Sequence, residues 1–182
     1  SVLDSVSNQK ILDICTGSGC IAITLAKELN NPNISAIDIS NKALNIAMLN
    51  AKNHNAEINF EQLNILSDPY KNKLDMIVCN PPYIPINEMD TIMDDVKLYE
   101  PKIALTDGSD GLSFYKRIND LAPSIVIPGG HILLEVGLHQ HPQFVKNILD
   151  VKLFSQIEIV PDLNGDPRIL KALVNWVRLL HI

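Results

Sequence analysis

Two short stretches hold the residues best suited to chemistry. The first is Asp13-Ile14-Cys15-Thr16-Gly17-Ser18-Gly19, between a compact apolar run and a longer apolar-periodic one. Glycines in such a turn let the backbone bend tightly and let a ligand come close to the main chain. Asp38 lies 21 residues after Gly17, a distance at which a carboxylate can accept both hydroxyls of a ribose. The second stretch is Asn80-Pro81-Pro82-Tyr83. Two prolines after an apolar run end a strand sharply and stiffen the chain beyond it. The product is a rigid arm bearing one amide, one free carbonyl (Pro81) and one aromatic ring. The Asn80 side-chain oxygen and the Pro81 carbonyl can each accept one N–H, and Tyr83 can cover a flat face. Such an arm suits a planar group ending in NH2.

An amide or aromatic amine has a delocalised lone pair and is a poor nucleophile. Holding both of its hydrogens while aiming the nitrogen at an electrophilic methyl favours transfer through positioning. Acceptors matched to the charge developing on nitrogen add electrostatic stabilisation. The chemistry asks for no strong general base, and none stands out in the sequence.

The turn discriminates between two nucleotide-type cofactors. The dinucleotide fingerprint wants glycine at its first, third and sixth positions. Read from Cys15, those positions hold Cys15, Gly17 and Cys20, so two fail. The pattern of S-adenosylmethionine sites, an acidic residue followed by glycine at every second position, meets Asp13, Cys15, Gly17 and Gly19. Only its first glycine is missing, so this pattern fits better. A Thr-Gly-Ser-Gly turn by itself is also compatible with a plain tight connection, and Asp38 is what narrows that reading. No histidine stands near Cys15 in sequence, so it reads as a small filler rather than a nucleophile.

The elements that must position these residues are legible as alternating apolar runs and helical patterns, the signature of a βαβ sheet with helices on both faces. Strands are expected at 10–14, 34–38, 58–63, 74–79, 131–136, 156–160 and 169–176. Helices are expected from Cys20, from Ser40 (as N-cap) through Ala51, over 111–121 and near 143–149. Gly129-Gly130 is expected to introduce the fifth strand. Residues 84–109 are mostly polar and acidic, with weak helical periodicity over 88–96, and read as a lid. Both motifs fall at carboxyl ends of strands, where open α/β sheets bind their ligands.

Composition limits the function classes. The 182 residues are 46% hydrophobic and 20% charged, as expected of one globular domain. The net charge is −6, with twelve lysines and only Arg117, Arg168 and Arg178 as arginines. A chain that grips a nucleic-acid backbone unaided normally shows a basic stripe with arginine forks, so direct nucleic-acid binding is not expected. No apolar run is long enough for a membrane span. Three cysteines without CxxC spacing suit a reducing cytosol, and cytoplasmic location is the expectation. Cys20 and Cys79 read as small buried hydrophobes and Trp176 as core. His139-Gln140-His141 reads as a solvated loop or helix start, and no metal site is expected.

The Asp-Ile-Cys-Thr-Gly-Ser-Gly turn followed by Asn-Pro-Pro-Tyr resembles the HemK/PrmC family of protein glutamine-N5 methyltransferases. Further matching stretches are Glu100-Pro101 with Ala104-Leu105, Gly108 to Leu112, Leu134-Glu135-Val136-Gly137, and Asp162-Leu163-Asn164-Gly165 with Arg168. The resemblance runs over essentially the whole chain. It implies a class I S-adenosylmethionine-dependent methyltransferase fold, a Rossmann-like, seven-stranded, mostly parallel sheet with helices on both faces and the last strands antiparallel. It also implies S-adenosylmethionine as cofactor, with S-adenosylhomocysteine as product. Asp13, Cys15, Thr16, Gly17, Ser18 and Gly19 would serve its methionine part. Asp38 would take its ribose, Ile65 would lie against the adenine with Asn64 beside it, and Ile39 and Asn80 would complete the cofactor contacts. Asn80, Pro81, Pro82 and Tyr83 would hold the substrate glutamine, with Asn80, Pro81 and Tyr83 catalytic.

Two departures stand out. Cys15 replaces the usual first glycine, a variant associated with the ribosomal-protein branch, and Asn64 stands where aspartate is usual. The Asp-Leu-Asn-Gly…Arg tail looks more like the release-factor branch. Peptide chain release factors, through their Gly-Gly-Gln loop, are therefore the favoured partner, acted on by a monomer. Alternatives are a ribosomal-protein glutamine, an exocyclic amine of adenine or guanine, and a non-catalytic interaction domain. The resemblance further implies that residues 1–182 form the catalytic domain, without the helical recognition domain that relatives carry ahead of it.

Overall fold

The computed structural model describes residues 8–138 and 141–176. Seven strands form one sheet in the order β3-β2-β1-β4-β5-β7-β6. These are β1 (Lys10–Ile14), β2 (Asn33–Asp38), β3 (Asn59–Gln62), β4 (Leu74–Cys79), β5 (Val126–Glu135), β6 (Phe154–Pro161) and β7 (Pro167–Val174). The pairs among β1 to β5 are parallel, whereas β7 pairs antiparallel with both β5 and β6. The expected mostly parallel sheet with antiparallel last strands is what the chain forms.

Strand alternation sends side chains into two cores. Ile11, Met76 and Val78 face Ala22 of α1 (Cys20–Glu28). Leu12, Ile14, Ile77 and Cys79 face the other way, toward Tyr115, Ile118 and Ala122 of α5 (Ser113–Ile125) and Val145 of α6 (His141–Ile148). The remaining helices are α2 (Asn41–Asn53), α3 (Asp94–Tyr99) and α4 (Lys102–Leu105). Ser40 caps α2 as expected, accepting the Ala43 N–H at 3.3 Å. Among the described residues no helix is long and apolar enough to cross a membrane.

Several expectations are corrected. The fifth strand begins at Val126, ahead of the two glycines; its register against β4 shifts between Leu74↔Val126 and Met76↔His131, so Gly129 and Gly130 form a bulge within it. The preceding helix runs through Pro123 to Ile125, because Leu121, Ala122 and Ile125 are buried and outweigh the proline's lost N–H. The helical turns of the acidic segment lie at 94–99 and 102–105, with a 3-10 turn at 86–88, rather than over 88–96. Trp176 lies beyond β7 and is 83% exposed, not core. Cys20 is exposed on the first turn of α1, whereas Cys79 is buried as expected. His139 and Gln140 lie outside the described residues.

Candidate active site

The two motifs leave neighbouring strands side by side. β1 and β4 pair in parallel with Ile14 opposite Cys79, so Cys15 and Asn80 emerge together at the carboxyl edge of the sheet. From β1 the chain order runs outward in both directions, and this reversal opens the crevice in which α/β sheets take ligands.

Three left-handed residues shape the turn after β1: Cys15 (φ 60°), Gly17 (56°) and Gly19 (83°). That accounts for the preference for glycine at the first position, where Cys15 accepts a sparsely populated conformation. A Cβ built on Gly17 would point into open space, leaving the turn bare on the side a ligand would approach. Gly19 precedes α1 with no side-chain cap; the Ala22 amide turns to Asp13, which leaves the Cys20 and Ile21 N–H groups to an anionic group.

Asp38 ties the turn down. Its carboxylate accepts the Gly17 N–H at 2.9 Å and the Ser40 N–H at 2.8 Å, one on each oxygen. Two bonds leave further lone-pair positions on the same carboxylate for hydroxyls of a ligand. Ile39, next in sequence, is exposed and offers an apolar face. Asn64 folds its side-chain oxygen back onto the Leu66 N–H at 3.1 Å. Ile65 is buried in the main core, and Arg117 fixes its carbonyl at 2.8 Å. The geometry thus brings Cys15, Thr16, Gly17, Ser18, Gly19 and Asp38 together, while Ile65 contributes packing beneath the loop.

Asp13 is fully buried under the turn, accepting the Thr16 hydroxyl at 2.7 Å through Oδ2, while Oδ1 has no partner. Burial raises its carboxyl from 3.8 to about 6 against the opposing hydrogen bonds from Thr16 and the Ala22 amide, with a further push from the Asp38 charge. Between those values the folded protein keeps a proton that the unfolded chain has released, so stability falls as pH rises through this window. Asp13→Asn is expected to flatten that slope in thermal unfolding, removing a penalty of about 2 to 3 kcal/mol near neutral pH. An unaltered pH profile in the variant would remove Asp13 as its source.

On the β4 side, Pro81 and Pro82 are buried and Asn80 is exposed, so the arm is anchored while its amide faces outward. The Tyr83 hydroxyl donates to Glu135 Oε1 at 3.3 Å. Burial, and then the Glu135 carboxylate, push the Tyr83 phenol above its ordinary value. The Tyr83 ring tilts against His141 at 5.7 Å, and His141 meets Tyr115 edge-on at 5.4 Å. His141 Nδ1 accepts the Gly137 N–H at 3.0 Å, and burial holds its imidazole below the usual value. His141 opens α6, one of the two settings expected, but its ring is packed rather than solvated.

Beneath the arm a Cβ on Gly111 would come within 2.3 Å of the Tyr83 carbonyl oxygen, so only glycine fits there. Asp107 accepts N–H groups from Ser109, Gly111 and Ser113 at 2.8–3.0 Å. Burial alone would raise its carboxyl, but these bonds together hold it below the usual range. Burial and the adjoining Cys15 thiol push the Cys79 thiol up, so it remains neutral.

Sequence reasoning assigns no role to Glu135, His141 or Asp107. A signal is present in part, since Glu135 and Gly111 lie in stretches that carry the family resemblance. Two open clefts of about 570 and 610 Å³ lie at the opposite edge, lined by residues such as Lys10, Asn33 and Asn59 where strands begin. They hold none of the motif residues, which emerge instead at the carboxyl edge between β1 and β4.

Comparison with known proteins places the family and the fold. Residues 1–96 match the family described as methyltransferase small domain. A release factor glutamine methyltransferase of Bacillus subtilis is 38% identical over 177 residues, covering 96% of this chain and 62% of that protein. One from Fusobacterium nucleatum is 40% identical over 173 residues, covering 94% of this chain and 49% of that protein. The chain thus spans less than two thirds of the length of these relatives. Among solved structures, a methyltransferase from Pyrococcus furiosus superposes with a TM-score of 0.71 at 16% identity, covering 95% of this chain and 77% of that one.

Proposed function

The chain belongs to the methyltransferase small domain family, and on that premise we propose that it methylates the side-chain amide nitrogen of a glutamine in a protein, using S-adenosylmethionine. The observation that carries this reading is the pairing of Ile14 with Cys79, which sets the glycine turn and the Asn80–Tyr83 arm at one crevice. The release-factor relatives support a peptide chain release factor as the acceptor; a monomeric enzyme acting in the cytoplasm is part of the same proposal.

The residues present fit the cofactor. The open side of Gly17 and the uncapped start of α1 suit its carboxylate, Asp38 its ribose and Ile39 its base. The unpartnered Oδ1 of Asp13 leaves one buried acceptor beneath the same turn. Bound there, S-adenosylmethionine supplies an electrophilic methyl. The chain's own contribution is positioning. Asn80 and the Pro81 carbonyl accept the two amide hydrogens of the glutamine and orient its nitrogen. As positive charge develops on that nitrogen, both acceptors bind it more strongly than the neutral amide, which lowers the barrier, and the methylated nitrogen then gives up one of its two held hydrogens as a proton to solvent. Tyr83, held by Glu135 and His141, gives the amide a flat apolar wall and limits water.

Incubating the protein with S-adenosylmethionine and an unmethylated bacterial release factor tests this directly. Mass spectrometry is expected to show a gain of about 14 Da, one CH2, on a glutamine of the Gly-Gly-Gln loop. Label appearing only in nucleic acid would reassign the arm to a base amine.

A further inference from the structure

Between the arm and α5 runs a segment, residues 86–104, on which the catalytic geometry above does not draw. None of residues 86–104 is buried. They nevertheless form a 3-10 turn, α3 and α4. Helices of four to six residues are marginal in water by themselves, and a soluble face normally turns its apolar side chains inward. Here the opposite holds: Met93 is 75%, Leu98 74% and Tyr99 81% exposed. The same stretch carries five carboxylates (Glu88, Asp90, Asp94, Asp95, Glu100) against two lysines, Lys97 and Lys102. One lysine is already engaged, Lys97 with Asp90 at 3.3 Å.

The segment is fastened directly after the Asn80–Tyr83 arm. The Ile84 N–H donates to the Leu105 carbonyl and the Ile86 N–H to the Ser109 carbonyl, both at 2.9 Å, directly after Tyr83. Both ends of the segment that carries Met93, Leu98 and Tyr99 are therefore held beside the residues that follow Tyr83. Exposed apolar side chains interspersed with carboxylates are complementary to a surface that offers both apolar and basic side chains.

We propose that this segment is the docking face for the protein acceptor, and that it takes a polypeptide surface bearing lysine or arginine together with apolar side chains, near the glutamine being methylated. The inference rests on the protein-glutamine reading above. It assigns substrate recognition to the acidic segment 86–104, apart from the cofactor turn and the Asn80 arm.

The test is steady-state methylation of an unmethylated bacterial release factor by the wild type, by Leu98→Ser/Tyr99→Ser and by Asp94→Lys/Asp95→Lys. All four positions are exposed, so neither variant disturbs the core. Both are expected to raise KM for the release factor about tenfold or more, with kcat and KM for S-adenosylmethionine within about twofold. The charge-reversed variant should also lose most of the salt dependence of KM. An unchanged KM for the release factor in both variants overturns the docking face and leaves the methyltransferase reading intact. A rise confined to KM for S-adenosylmethionine overturns it too, making the segment a cofactor cover. A wild-type dimer in light scattering that Leu98→Ser/Tyr99→Ser dissolves would give the face to a second copy. No methylation by the wild type would remove the underlying reading and this inference with it.

Discussion

Asn80→Ala is expected to lower kcat for glutamine methylation by about 10³-fold, some 4 kcal/mol, while the affinity for S-adenosylhomocysteine shifts by less than about threefold. The split comes from how the arm is built. Its path is set by the backbone: β4 delivers Cys79 opposite Ile14, Pro81 and Pro82 are buried, and the Tyr83 hydroxyl reaches Glu135. None of these depends on the Asn80 side chain, which is exposed. Truncation therefore deletes one acceptor and leaves the arm in place. The lost oxygen is one of only two groups proposed to hold the amide hydrogens, and its hydrogen bond strengthens as the nitrogen gains charge. The effect accordingly falls on kcat rather than on binding. Single-turnover methylation of a release factor, with calorimetry of S-adenosylhomocysteine on the same sample, measures both. Turnover within about threefold of wild type would eliminate the clamp.

The motifs are legible in the sequence because each is a local solution to a local constraint. A left-handed backbone at three alternate positions needs glycine or a tolerant residue wherever the turn occurs, and Cys15-Thr-Gly-Ser-Gly records that need directly. The Ser40 cap is local in the same sense. Tertiary contact sets the rest. Glu135 and His141 matter because β5 and α6 bring them against Tyr83, from 52 residues away in the case of Glu135. Helix α5 passes Pro123 because its buried face continues, and β5 starts early because Val126 finds Leu74. Trp176 shows the reverse error: an apolar run suggests core, but β7 ends two residues before it. Periodicity reports which residues would profit from burial, and only the assembled sheet decides which are buried.

Asp38→Ala is expected to weaken S-adenosylhomocysteine about 100-fold, roughly 3 kcal/mol. Two losses combine in that figure. The direct one is the acceptor for the ribose hydroxyls, a charge-assisted hydrogen bond in a half-buried setting. The indirect one is structural: without the carboxylate, the Gly17 and Ser40 N–H groups lose partners at 2.9 and 2.8 Å. The left-handed turn over Gly17 then has less to hold it in the conformation a ligand must meet. Asp38→Asn separates the two, since an amide oxygen can keep one N–H acceptor but its NH2 faces the other donor. It should bind more weakly than wild type and more tightly than alanine. Calorimetry supplies the affinities, and thermal unfolding without ligand supplies the share owed to the turn. If Asp38→Ala lost stability but bound S-adenosylhomocysteine within about threefold of wild type, the carboxylate would be a strut for the turn, and the ribose would have to be held elsewhere along the end of β2.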